Sequence, residues 1–103
     1  HFYRDILGLS VARAWAEGIM FETGAGLIEV FNNATETLPQ GTIRHFALVT
    51  DDVDECVKAV RTAGYEVFIE PKDIEIPSSP AFPARIAFCK GPLGEEIEFF
   101  QEK

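Results

Sequence analysis

The chain has 103 residues, nine Lys and Arg against seventeen Asp and Glu, and therefore a net charge of −8, with 47% apolar side chains. One domain is the expected count at this length, and nine Phe, two Tyr and one Trp exclude intrinsic disorder. An acidic balance without a Lys/Arg cluster argues against nucleic acid or an anionic membrane as partner. No apolar run approaches the roughly 18–20 residues of a membrane span, and no signal peptide is visible, so the expected location is cytoplasmic.

In chain order, HFYRDILGL reads as the second half of a helix: Phe2, Tyr3, Ile6 and Leu7 recur at helical spacing and Gly8 suits a left-handed helix end. No cap residue precedes them, which places the start of that helix, and any strand before it, outside the sequence. Strands are expected near 9–16, 18–23, 26–32 and 42–50 from alternation and from β-branched and aromatic enrichment. The connection Ala16-Glu17-Gly18 between Trp15 and Ile19 is short. Asp52, with Glu55 three residues on, forms a capping-box pattern; Val53, Val57 and Val60 make one apolar stripe and Gly64 closes the helix. Further strands are expected near 65–70, 84–90 and 95–101. The stretch from Pro71 to Pro83 holds four of the six prolines (71, 77, 80 and 83) and reads as a stiff surface loop, because proline removes a ladder donor. Cys56 and Cys89 sit in apolar settings and read as two reduced thiols rather than a metal or disulfide framework.

The two halves repeat. ILGLSVARA corresponds to TAGYEVFIE, and GIMFETGAGLIEVFN (18–32) to RIAFCKGPLGEEIEFFQ (85–101). In this alignment Ile19, Phe21 and Gly24 fall on Ile86, Phe88 and Gly91, and after a two-residue difference in the turn Glu29 falls on Glu98. Module 1 spans 1–33 and module 2 spans 42–103; TIRHFALVT, the strand before the second helix, has no counterpart in the first half. Alternation puts Phe46 and Leu48 under the helix and His45, Ala47 and Val49 on the other face, with Glu29 and Glu98 aimed the same way. Helices covering one side of a curved sheet leave the other side concave. A lone His or Glu on a strand is ordinarily solvated, but two repeat-equivalent carboxylates and an imidazole on one apolar face form a divalent-metal donor set. His45 precedes Gly64 by nineteen residues. The symmetry therefore sets a partner His about eleven or twelve residues upstream of His1, and His1 itself is not a candidate.

FYRDILGL, LIEVFN, GTIRHFALVTDDVDE and FCKGPLGEEIEFFQ together resemble the vicinal-oxygen-chelate superfamily, and within it the glyoxalase I (lactoylglutathione lyase)-like branch. The resemblance covers nearly the whole chain and is most specific at 91–98 and 45–48. It implies an α+β fold of tandem βαβββ modules, a mostly antiparallel curved sheet with helices outside. It also implies one divalent ion, commonly nickel or zinc, held by His, Glu, His and Glu. Glu29 falls on the second of these positions, His45 on the third and Glu98 on the fourth, while the first belongs to the strand the sequence lacks. Asn33 matches a position that contacts glutathione or another thiol cosubstrate; Arg13 and Arg85 are candidates for its carboxylates by expected exposure alone.

The implied chemistry is conversion of a thiol–methylglyoxal hemithioacetal to a 2-hydroxyacyl thioester through an enediolate, with Glu98 as the base and the metal polarising the oxygens. Members of this family commonly pair as homodimers, and the same is expected here. Two alternatives share the fold. One is a methylmalonyl-CoA epimerase-like isomerase, which typically carries Gln where Glu29 stands. The other is a metal-free binding protein of the bleomycin-resistance type, which would stack its ligand on Trp15, Phe31 or Phe100.

Overall fold

The computed structural model describes residues 1–37 and 39–103, and the chain forms two compact units, His1–Leu38 and Pro39–Lys103. The first opens on a π-helical turn, Phe2–Ile6, whose Leu7 amide reaches back to the Phe2 carbonyl at 3.0 Å. Gly8 then takes φ +75°, the left-handed helix exit expected of it. Three antiparallel strands follow in the order β1 (Val11–Ala14), β2 (Gly18–Glu22), β3 (Leu27–Phe31). Trp15 and Gly18 exchange backbone hydrogen bonds, so the short connection closes as a two-residue hairpin. Phe2, Tyr3 and Phe21 are buried, with the Tyr3 and Phe21 rings 5.7 Å apart, and they form this unit's apolar centre.

The second unit runs β4 (His45–Val49), α1 (Val53–Thr62), β5 (Val67–Ile76), β6 (Phe82–Lys90) and β7 (Glu96–Glu102). Its sheet order is β4-β7-β6-β5, with β4 parallel to β7 and the remaining pairs antiparallel. This is a βαβββ module, and the fold is α+β. Helix α1 starts because the Asp52 carboxylate accepts the Glu55 amide at 3.1 Å. The other half of the capping box goes elsewhere: the Asp52 amide donates to the Thr50 hydroxyl, not to Glu55. The helix ends on Gly64 at φ +91°, with Tyr65 N–H on the Val60 carbonyl and Gly64 N–H on that of Arg61, the paired bonds of a Schellman exit. Val53, Val57 and Val60 are fully covered, and they meet Ala87, Cys89, Ile97 and Phe99, all buried, on the facing side of β6 and β7. Burying each such valine or larger side chain favours folding by about 1.5–3 kcal/mol.

Two expectations change. The Pro71–Pro83 segment is largely strand: β5 continues to Ile76 and β6 begins at Phe82, leaving only 77–81 as loop. Proline is tolerated here because β5 is an edge strand and Pro71 lies inside a register break between Ile69 and Lys72, where no ladder bond is demanded. Pro83 sits one residue inside β6 and contributes its carbonyl, which accepts the Lys103 amide.

The repeat is real but its β2 alignment shifts by one. Gly8 and Gly64 match as expected, and β1 and β5 carry a bulge at the same place, between Val11 and Arg13 and between Val67 and Ile69. In the hairpins, however, Met20 pairs with Glu29 as Phe88 pairs with Glu98. Phe21 therefore corresponds to Cys89, both buried, and Phe88 lies on the opposite face. The compensating insertion is a single residue: Thr23 closes on Gly26, whereas Gly91 closes on Glu95 around Gly94 at φ +89°.

Candidate functional site

Parallel pairing of β4 with β7 sets Ala47 beside Glu98, so His45, one dipeptide earlier on the same face, reaches Glu98 diagonally. His45 Nε2 lies 3.2 Å from Glu98 Oε1. The Glu98 side chain keeps only 15% of its exposure and that of His45 keeps 40%, so the carboxylate is largely covered and the imidazole is its polar partner. This pair stands on the face of the sheet away from α1, because Ile97 and Phe99, the alternate residues of β7, are the ones buried toward the helix.

Aromatic rings build the rest of that face. Phe88, directly across from Glu98, meets the His45 ring edge-on at 4.9 Å, and Phe68 in the β5 bulge meets Phe88 at 5.7 Å. The bulge sets two residues of β5 against one of β6, which turns Phe68 onto this face. Lys90 follows Phe88 on the same side of β6, with its ammonium 5.8 Å from the Phe68 ring centroid.

In the first unit, Glu29 is exposed at the centre of β3, across from Met20 and between Leu27 and Phe31 on its own strand face. Arg13 lies in the same cross-strand row, opposite Met20. Asn33 is in an exposed loop after β3. Its neighbour Asn32 has the structural task there, donating its side-chain amide to the Ala16 carbonyl at 3.0 Å. Trp15 and Phe31 contact edge-on at 5.9 Å and line a cleft of about 350 Å³ with Ile19 and Val30.

Among the described residues no three His, Cys, Asp or Glu side chains gather as a ready cation cage. What β4 and β7 bring together is one imidazole and one carboxylate. Two donors bound at about 2.0–2.2 Å to one tetrahedral or octahedral ion stand roughly 3.0–3.5 Å from each other, so the 3.2 Å separation of this pair fits adjacent ligand positions.

Arg85 is a correction. It lies on the helix side of β6, where its guanidinium makes a two-pronged contact with Asp54 at 2.8 and 3.0 Å and a third bond to Asp73 at 3.2 Å. These bonds hold the Asp54 and Asp73 carboxyls below their usual range and raise the guanidinium further. With its donors committed to two aspartates on the face away from Glu98, Arg85 is not a carboxylate anchor for the site. Burial pushes the Cys89 thiol up to about 12, which keeps it a packing residue. Sequence reasoning missed Phe68 and Lys90. The alternation of 86–90 put Lys90 within reach, but the bulge that brings Phe68 beneath it has no sequence mark.

Residues 1–99 match the sequence model of the Glyoxalase/Bleomycin resistance protein/Dioxygenase superfamily. An uncharacterised Bacillus subtilis protein, YwbC, is 32% identical, covering 97% of this chain and 83% of its own. Among solved structures, a lactoylglutathione lyase from Agrobacterium tumefaciens superposes with a TM-score of 0.65 at 21% identity, over 97% of this chain and 80% of that one. The oxidase ChaP-H2 superposes with a TM-score of 0.68 at 23% identity, over 99% and 80%. At these identities the structural matches speak for the fold.

Proposed function

Because the chain belongs to the Glyoxalase/Bleomycin resistance protein/Dioxygenase superfamily, we propose that it is a metal-dependent lyase or isomerase of the glyoxalase I kind, acting on a thiol–methylglyoxal hemithioacetal. The observation that carries this reading is the His45–Glu98 pair, an imidazole nitrogen and a carboxylate oxygen 3.2 Å apart on adjacent strands. His45 and Glu98 are the proposed ligands. A divalent ion held there would supply Lewis acidity, polarising the substrate's carbonyl so that the neighbouring C–H becomes acidic. Glu98 would remove the proton from the carbon bearing the hydroxyl and return it to the adjacent carbon, while the hydroxyl proton passes to the former carbonyl oxygen, giving the 2-hydroxyacyl thioester. Phe88, directly across from Glu98, lines the face on which that largely covered carboxylate stands. Asn33 is the proposed contact for glutathione or a similar thiol.

The test is metal content by elemental analysis, on untagged protein purified without added metal. About one nickel, zinc, cobalt or manganese per chain is expected, falling at least tenfold in Glu98→Gln and in His45→Ala with the fold retained by circular dichroism. Hemithioacetal isomerisation should fall about 100-fold or more in Glu98→Gln. Protein that neither carries nor takes up metal would overturn this mechanism. The exposed Trp15–Phe31 pair and its cleft would then favour a metal-free binding module.

A further inference from the structure

Two lysines stand on the face that carries Glu98, Lys72 opposite Ile86 and Lys90 next along from Phe88, and Lys90 is the one set against the aromatic rings beside Glu98. Of the eight other Lys and Arg residues, Arg4, Arg61, Arg85 and Lys103 are each paired with a carboxylate, and Arg13, Arg44, Lys58 and Lys72, like Lys90, make no ion pair among the described residues, so it is the ring platform that sets Lys90 apart. Lys90 makes no ion pair among the described residues, although Glu96 is its direct cross-strand neighbour. The Glu96 carboxylate instead accepts the Gln40 side-chain amide, and the Lys90 ammonium stands over the Phe68 ring. Lys90 and Phe88 are successive residues on one side of β6, and Phe88 pairs with Glu98. The backbone of Lys90 therefore stands about 7 Å along the strand from the row that holds the proposed base, and its ammonium lies over Phe68. Between the two lie the Phe88 and Phe68 rings, an apolar platform.

We infer that Lys90 is a specificity-determining residue. It selects substrates that carry an anionic group, a carboxylate or a comparable oxyanion, about 7 Å from the carbonyl being processed, with a planar or apolar body between the two resting on Phe68 and Phe88. The charge of the whole chain, −8, repels anions at long range. A local ammonium that no carboxylate neutralises is what would reverse that repulsion at this one face. The inference rests on the proposed function for the identity of the reacting end, but not for the charge selection itself.

A matched pair of probes tests it. 4-Acetylbenzoate and 4-acetylbenzamide share a planar ring and a ketone, and differ only in the charge of the group para to it. Binding is measured by isothermal titration at low salt, for protein with metal and for protein treated with chelator. Wild-type protein should bind the benzoate about tenfold tighter than the benzamide, and the preference should shrink as salt rises. In Lys90→Met the preference should collapse to within twofold while benzamide binding is unchanged, and Lys90→Arg should restore it. Glu96→Gln, which removes the negative charge directly across the strand from Lys90, should strengthen benzoate binding. A preference that survives Lys90→Met, no preference in the wild type, or no binding of either probe would overturn the inference. Failure of the metal reading is distinguishable: metal content would be nil and chelator without effect, while the Lys90-dependent preference persists.

Discussion

At Asp52 a single side chain decides where a helix begins. Its carboxylate takes the Glu55 amide, its own amide goes to Thr50, and Gln101 from β7 accepts the Val53 amide at 3.1 Å. The three orphan donors at this end are thus divided among Asp52, Thr50 and a strand remote in sequence, and Glu55 is left to solvent. Asp52→Ala should lower the unfolding free energy by about 1 kcal/mol in urea titrations, whereas Glu55→Ala should change it by less than about 0.5 kcal/mol. A loss at Glu55 equal to that at Asp52 would contradict the division of labour seen here. Asp52 was recognisable as a cap from its spacing to the valine stripe. That Thr50, not Glu55, completes the cap depends on how the chain turns out of β4, which local pattern does not encode.

At the scale of elements, the contact between α1 and the strands beneath it is fastened at one end by Arg85, which ties Asp54 on the helix to Asp73 on β5. Both carboxyls are held below their ordinary values by that guanidinium. A carboxylate with a lowered folded value adds stability that is present above its unfolded value, near pH 4, and is lost as the pH falls through the folded one. Arg85→Met should therefore lower the thermal midpoint at pH 7, with the gap to wild type closing as the pH falls below about 4. A gap that stays constant to pH 2 would mean that packing of the arginine stem, not charge, is what the residue contributes. The same element shows why proline misled. Four prolines between 71 and 83 signal a loop, but Pro71 falls in a bulge on an edge strand, where its missing donor costs nothing. Whether a strand is at the edge is a property of the sheet.

For the whole molecule, the expected homodimer is proposed as the working assembly, since two-fold dimers are the commonest homo-oligomers. Sedimentation equilibrium should return twice the 11.4 kDa chain mass, and a monomer at micromolar concentration would remove that expectation. The two units are variations on one design. Glycine exits, the β1 and β5 bulges and the Glu29 and Glu98 positions agree, while the shifted β2 alignment sends Phe21 into the apolar centre and Phe88 onto the open face. Among the described residues no helix is long and apolar enough to cross a membrane.

The sequence by itself determined most of the elements, the existence of the repeat, the α+β class and the nomination of His45, Glu29 and Glu98, because periodicity, caps and glycine exits are local and alternation alone assigns a strand residue to a face. It also carried the family resemblance that the superfamily match confirms. Only the tertiary structure decided which residues on a face meet. The parallel register of β4 on β7 sets His45 against Glu98, the one-residue difference between hairpin turns puts Phe88 beside them, and the β5 bulge brings Phe68 under Lys90. The physical reason is that strand register has a period of two, so a one-residue change in a turn moves a side chain to the other face while leaving the sequence pattern almost unaltered.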